Sequence, residues 1–181
     1  MIDDASPYRP DRDRVQTVEI GQPLPTPPTG PLMFRFRNRL GRSAITTYPG
    51  WWRSFLFSVV VANHYHCRKI VHIESDAYIL SRRMVELINR RDSGWAVFWC
   101  PRWHCPETGI QVVCEDQFGG MLDMWNAGWE RHAGKYAEHV LPFTEIVKDT
   151  HGNRYGEFRT KIPGYADFAT QVSPHQKVWF K

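Results

Sequence analysis

Lys69-Ile70-Val71-His72-Ile73-Glu74-Ser75-Asp76 is the stretch on which the reading of this chain turns. Its first five residues are short, apolar and β-branched, which predicts a buried strand. The last three place two carboxylates at that strand's carboxyl end, the edge at which open α/β sheets receive ligands. Upstream, Trp52, Phe55, Leu56, Val59, Val60 and Ala62 recur at helical spacing, so residues 51–66 read as a helix, with Pro49-Gly50 marking its start. Downstream, Met84, Leu87 and Ile88 give a second helix with Ser81 as its N-cap. Gly94 breaks the chain, 95–99 and 110–114 read as strands, and Phe118, Leu122, Trp125 and Trp129 share one face of a further helix. The order helix, strand, helix, strand, strand, helix predicts an α/β layered domain.

The first 34 residues differ in character. Pro7, Pro10, Pro23, Pro25, Pro27 and Pro28 keep them from being helical, and 15–20 alternates weakly, as a short strand would. Residues 1–34 therefore read as a Pro-rich N-terminal arm and 35–181 as the domain. At the junction, Arg35, Arg37, Arg39 and Arg42 alternate with Phe34, Phe36 and Leu40. That pattern suits a strand or an ordered loop, and it serves either as a charged edge or as a contact for phosphates or a peripheral membrane surface.

The chain has 181 residues, a length that suits one domain, with 42% hydrophobic and 23% charged residues, an ordinary globular balance. Aromatics reach 14%, including 8 Trp, whose flat faces with a polar handle serve cores, interfaces and carbohydrate sites alike. The formal charge of +4 fits a phosphate-bearing ligand, a nucleic acid or an acidic membrane and selects none of them. No apolar run approaches a bilayer span, and Met1-Ile2-Asp3-Asp4 is acidic, unlike a secretory leader, so a cytoplasmic location is expected. Cys67, Cys100, Cys105 and Cys114 then read as reduced thiols. Cys100, His104 and Cys105 lie close together without forming a two-residue zinc knuckle.

In an extended segment residues i and i+2 face the same side, so Glu74 and Asp76 can converge on one cation. Hard carboxylate oxygens suit Mg²⁺ or Mn²⁺, ions that also bridge diphosphate oxygens and improve a nucleotide diphosphate as leaving group. The bland alternative is a solvated turn in which Asp76 caps a helix.

Trp51-Trp52-Arg53-Ser54-Phe55 leads into the apolar helix and on to Ile70-Val71-His72-Ile73-Glu74-Ser75-Asp76-Ala77-Tyr78. This sequence resembles the centre of the type-A glycosyltransferase fold, in which a helix packs beside a strand ending in a DxD-type motif. Arg154-Tyr155-Gly156-Glu157-Phe158 and Pro174-His175 also resemble bacterial proteins of that kind, so the likeness covers roughly residues 35 to 181. It implies a three-layer α/β sandwich with a mixed sheet, of the nucleotide-diphospho-sugar transferase type. It implies a metal-dependent glycosyltransferase that passes a sugar from a nucleotide-sugar donor to a glycan or lipid-linked acceptor, with no nucleic acid as partner. Glu74, Asp76 and His175 would be the metal ligands, and Arg53 would join Glu74 and Asp76 at the donor. Glu115-Asp116, between a strand and a helix, would supply the catalytic base, or alternatively cap the helix. Two departures stand out. Glu74 replaces the usual Asp, and little before residue 45 resembles the opening βα nucleotide-binding unit. Either the 15–20 region serves, or the nucleotide subsite is reduced.

Other groups carry individual expectations. Glu157 is a candidate sugar contact, and Arg53 and Arg102 are candidates for phosphate or for internal ion pairs. Trp99, Trp103 and Tyr78 would stack on a sugar or nucleobase, or else pack in the core. Two rival readings remain: a non-catalytic binding or assembly domain of the same fold, and a metal-dependent nuclease, for which no E-x-K partner is evident. The patterns GxGxxG, the P-loop, GxSxG and HExxH are absent.

Overall fold

Pro49, with its φ already helical and no N–H to lose, supplies the first turn of helix α1 (Pro49–His64). The computed structural model describes residues 1–178 except Tyr8, Arg12, Pro27, Pro28, Thr29, Ile45, Phe158, Arg159 and Pro174. Pro27, Pro28, Phe158 and Pro174, quoted above, thus lie outside the described residues. The chain divides into two units, Met1–Cys67 with Phe118–Tyr136, and Arg68–Gln117 with Ala137–Lys181.

In the first unit, strands β1 (Ile2–Asp3), β2 (Gln16–Glu19) and β3 (Leu32–Arg35) form a parallel sheet in the order β1-β3-β2. Val18, Leu32, Phe34 and Phe36 bury one apolar cluster with Phe57 of α1. The Phe36 and Phe57 rings meet edge to face at 5.4 Å, and Trp125 closes on Phe57 at 5.5 Å. Trp125 belongs to helix α3 (Phe118–Asn126), which packs on α1. The Ala127-Gly128 pair ends that helix, so Trp129, expected on its face, falls in a 3-10 turn (Trp129–Arg131). Trp52 is 1% exposed, and its indole N–H donates to the Lys135 carbonyl at 3.1 Å. Asp4 accepts the amides of Leu40 at 2.9 Å and Gly41 at 2.6 Å and pairs with Arg53 of α1.

The second unit is built on a mixed four-stranded sheet ordered β4-β7-β6-β8, from β4 (Lys69–Ile73), β6 (Trp95–Cys100), β7 (Cys105–Cys114) and β8 (Glu145–Val147). Strand β7 is antiparallel to β4 and β6, and β8 is parallel to β6. The carboxyl ends of β4, β6 and β8 therefore share one edge of the sheet. Helix α2 (Arg82–Arg90) opens on Ser81, whose Oγ accepts the Met84 amide at 3.2 Å, the expected cap. Lys69 closes its other end by donating to the carbonyls of Ile88 at 3.2 Å, Asn89 at 3.0 Å and Arg91. Met84 and Ile88 bury against Ala96, Phe98, Ile110, Val112 and Phe168. Each such side chain contributes about 2 kcal/mol when removed from water. A short helix α4 (Ala137–Val140) and a small sheet ordered β5-β10-β9, from β5 (Tyr78–Ile79), β9 (Gly152–Asn153) and β10 (Phe168–Ala169), complete the unit.

The α/β class and the mixed sheet match the expectation from sequence. Strand β4 does not match in its burial. Among the described residues it pairs only with β7, and Val71 and Ile73 are 38% and 45% exposed. A β-branched run looks alike at a sheet's centre and at its edge, and non-local pairing decides between the two. Among the described residues no helix is long and apolar enough to cross a membrane.

Candidate functional site

The acidic motif forms a turn directly after β4. The Glu74 amide donates to the Gly109 carbonyl at 2.9 Å, and the Glu74 carbonyl accepts the Ala77 amide at 3.0 Å. The Asp76 carbonyl accepts from Val172 N–H at 2.9 Å, which ties the turn to the segment after β10. The Glu74 carboxylate stands 3.9 Å from His72 Nε2. Asp76 Oδ1 is buried and has no hydrogen-bond partner among the described residues. Burial first, and then the charge of Glu74, raise the proton affinity of Asp76, while a backbone N–H and Arg154 pull it back.

Strand β7 brings a second group of carboxylates to the same edge. Its register with β6 jumps, so that Val97 pairs with Gln111 but Phe98 pairs with Glu107. Glu107 is 1% exposed. Its Oε2 accepts Arg154 Nε–H at 2.7 Å, and its Oε1 accepts the Gly109 amide at 2.9 Å. Gly109 is the point where the two acidic groups meet. A Cβ there would stand 3.1 Å from Glu107 Oε1, 3.3 Å from Thr170 Cγ2 and 3.6 Å from Glu74 Oε2. Arg154 also donates from Nη2 to Glu138 at 2.6 Å and lies 3.6 Å from Glu157 through Nη1. Glu157 in turn accepts the Trp103 indole N–H at 2.6 Å. Burial pushes the Glu107 carboxyl up, and Arg154 opposes the shift. Burial works against the Arg154 charge as well, but Glu107 and Glu138 more than offset it and the guanidinium stays ionised.

Arg154 thus gathers Glu107, Glu138 and Glu157, and the Glu74 carboxylate approaches this group at Gly109. Glu74 and Asp76 stand where the sequence placed them. Glu115 and Asp116 do not join them. Lys69 pairs with Cys114 and Ile73 with Ile110, so residues beyond Cys114 leave the sheet at the edge opposite the motif. Four residues of strand separate the two ends by roughly 13 Å before either carboxylate is reached. Glu115 is exposed on a 3-10 turn (Glu115–Gln117). Asp116 accepts the Gly94 amide at 2.9 Å and Gln117 Nε2 at 2.9 Å, and those bonds lower its pKa. Asp116 therefore fastens the start of β6 and is not a base beside Glu74 and Asp76.

Arg53 belongs to the first unit and is spent internally. It pairs with Asp4, donates to the Asn38 carbonyl at 2.5 Å and lies 4.0 Å over the Phe36 ring. This is the ion-pair role the sequence also allowed. His175 is exposed. Among the described residues no three His, Cys, Asp or Glu side chains are grouped to hold a metal ion. Arg35 pairs with Asp3 at 3.0 Å and Arg37 pairs with Glu19, which neutralises half of the basic run, and Arg42 lies 4.8 Å over Tyr48. All four cysteines are free, and burial pushes the Cys105 thiol up to about 11, far from a ready thiolate. Sequence reasoning missed Glu107 and Glu138 altogether. Glu107 sits in Cys105-Pro106-Glu107-Thr108-Gly109, which reads as a turn, and its partner Arg154 lies 47 residues away.

Among solved structures the chain is similar to a glycosyltransferase involved in the glycosylation of the major capsid of PBCV-1. The TM-score is 0.47 and the identity 12%, over 80% of this chain and 79% of that one. No family model and no curated protein matches the chain.

Proposed function

We propose that this chain is a glycosyltransferase that passes a sugar from a nucleotide-diphosphate donor to a glycan or lipid-linked acceptor, using Mg²⁺ or Mn²⁺ at Glu74 and Asp76. One observation carries the reading: among the described residues Asp76 Oδ1 is buried without a hydrogen-bond partner, beside the charge of Glu74, just after the carboxyl end of β4. A carboxylate oxygen in that state is costly unless a cation or a proton meets it. The donor set is all hard oxygen, and two carboxylates completed by substrate phosphates are an ordinary arrangement for Mg²⁺. The residues therefore fit an ion that arrives with its nucleotide. Such an ion, when bound, would offset charge on the departing diphosphate. The protein's own part is positional. The turn at Glu74 is pinned by Gly109 and by Ala77, and Asp76 is pinned through Val172. The carboxylates of Glu74 and Asp76 repel a bare diphosphate, so donor binding is expected to require the cation.

One feature favours the rival reading, a binding domain without catalysis. Among the described residues before Pro49 there is no helix, so β1, β2 and β3 offer no helix N-terminus on which a diphosphate would be received. Calorimetric titration of Mn²⁺ followed by UDP or GDP separates the two. Metal-dependent nucleotide binding that is lost in Asp76→Asn supports the transferase. Folded protein that binds neither nucleotide in the presence of metal overturns it in favour of the binding domain.

A further inference from the structure

We infer that Cys100 and Cys105 form a redox-active dithiol that closes into a disulfide by exchange with a small disulfide oxidant, independently of any sugar transfer. Cys100 ends β6, Cys105 begins β7, and the two are paired directly across that hairpin. Opposed residues of an antiparallel pair project to the same face and stand about 4.5–5.5 Å apart at Cα. A disulfide spans Cα separations of roughly 4.4–6.8 Å. The register jump lies between Val97 and Phe98. Beyond it the pairs Phe98–Glu107, Trp99–Pro106 and Cys100–Cys105 follow without a further shift. The two strand ends can therefore be bridged with little backbone movement.

The turn keeps the thiols opposed. It spans 101–104, with φ of Pro101 fixed by its ring and His104 in the left-handed conformation at φ 50. Both thiols are free. Cys114 stands at the other end of β7, roughly 30 Å along the strand, and is no partner for Cys105. Closure also touches the neighbouring network. Cys100 Sγ donates to Asn153 Oδ1 at 3.3 Å, and the same oxygen accepts the Arg154 amide at 3.0 Å. A disulfide has no S–H to give, so Asn153 loses that donor on oxidation.

Burial sets the order of the chemistry. Cys100 is 0% exposed, whereas Cys105 is half-buried and meets the oxidant first. The Cys105 thiolate attacks one sulfur of the oxidant, whose S–S bond breaks and releases one thiol. Cys100 gives up its proton and attacks Cys105 Sγ, expelling the second thiol. Two protein S–H bonds and the oxidant's S–S bond become one protein S–S bond and two S–H bonds. The protein is oxidised by two electrons and the oxidant is reduced by two. Burial first, and then Cys100, Glu138 and Glu107, push the Cys105 thiol up to about 11 against the pull of Arg154. Its thiolate is scarce at neutral pH, so closure is slow.

The test is peptide mapping of the full folded chain after equilibration in mixtures of reduced and oxidised glutathione at about pH 8, with an acid quench. Trypsin cuts after Arg102 and glutamyl endopeptidase after Glu107, which leaves Cys100 and Cys105 on separate peptides with one cysteine each. The two peptides are expected to become joined as oxidised glutathione increases, both free thiols being lost together, and to separate again on reduction. Cys100→Ser should stop at a mixed disulfide between glutathione and Cys105, a species that the parent does not accumulate. Cys105→Ser should leave Cys100 a free thiol under the same conditions. In ¹⁵N NMR the Arg154 amide resonance should move on oxidation of the parent and stay in place in Cys105→Ser. The inference is overturned if the two peptides remain separate in the folded parent, whether free or each carrying glutathione. It is equally overturned if Cys105 joins Cys67 or Cys114 instead.

Discussion

Glu107 and Arg154 form an ion pair of 2.7 Å in which the carboxylate side chain is 1% exposed and its second oxygen is taken by the Gly109 amide. Removing one charge from such a pair leaves the other stranded. Glu107→Gln is expected to cost about 3 kcal/mol in chemical denaturation at neutral pH. Replacing both residues by Met should restore part of that loss, because no unpaired charge then remains.

Asp76 gives the fold a pH dependence of definite sign. Its native carboxyl holds a proton more tightly than the unfolded chain does, so ionisation destabilises the native state. Its favourable contribution is complete below the unfolded value of 3.8 and is lost as pH rises through the elevated native value. Asp76→Asn should therefore melt a few degrees higher than the parent at pH 7, with the gap closing toward pH 3 in thermal scans. An equal gap at both pH values would refute the assignment.

Asp116 and Asp76 should separate in activity. A general base contributes roughly 10²–10⁴ in rate, so its loss is not subtle. Asp116→Asn is expected to keep donor turnover within about threefold of the parent while lowering the melting temperature slightly, through the weakened hold on Gly94. A hundredfold loss of turnover would return Asp116 to the chemistry.

Gly156 sits against another stretch of backbone. An added Cβ would fall 1.1 Å from the Gln171 carbonyl oxygen and 2.8 Å from Val172 Cα, neither of which rotates aside. Gly156→Ala should destabilise by about 3 kcal/mol or more, measured by urea titration, and should displace the neighbouring Glu157.

Lys69 gathers three carbonyls at the end of α2. Lys69→Met should cost about 1 kcal/mol, with amide exchange accelerating first in the last turn of that helix.

What the sequence disclosed was local. The apolar spacing gave α1 and α2, Ser81 announced its cap, and β6 was visible as a run of aromatic and β-branched residues. Strand β7 was legible only from residue 110, because Pro106 and Gly109 look like loop residues while in fact they accompany a register jump. Direction was not legible at all. Glu115-Asp116 looked like a strand-end pair equivalent to the acidic motif, but an antiparallel β7 carries it to the far edge. Arg53 and Arg154 are both arginines near aromatic residues. Only the pairing of distant segments tells that one binds Asp4 inside the first unit and the other gathers the site's carboxylates.

The chain passes from one unit to the other after Cys67, again after Gln117 and again after Tyr136. Synthesis from the amino terminus therefore completes neither unit early. Strands β4, β6 and β7 emerge before β8 exists to cover the flank of β6, and α1 waits for α3. Cleavage after Cys67 would divide only the first unit and cleavage after Tyr136 only the second, whereas cleavage after Gln117 would divide both at once. The place of a nick therefore decides its reach: at Gln117 it acts on the whole chain, and at the other two crossings on one unit.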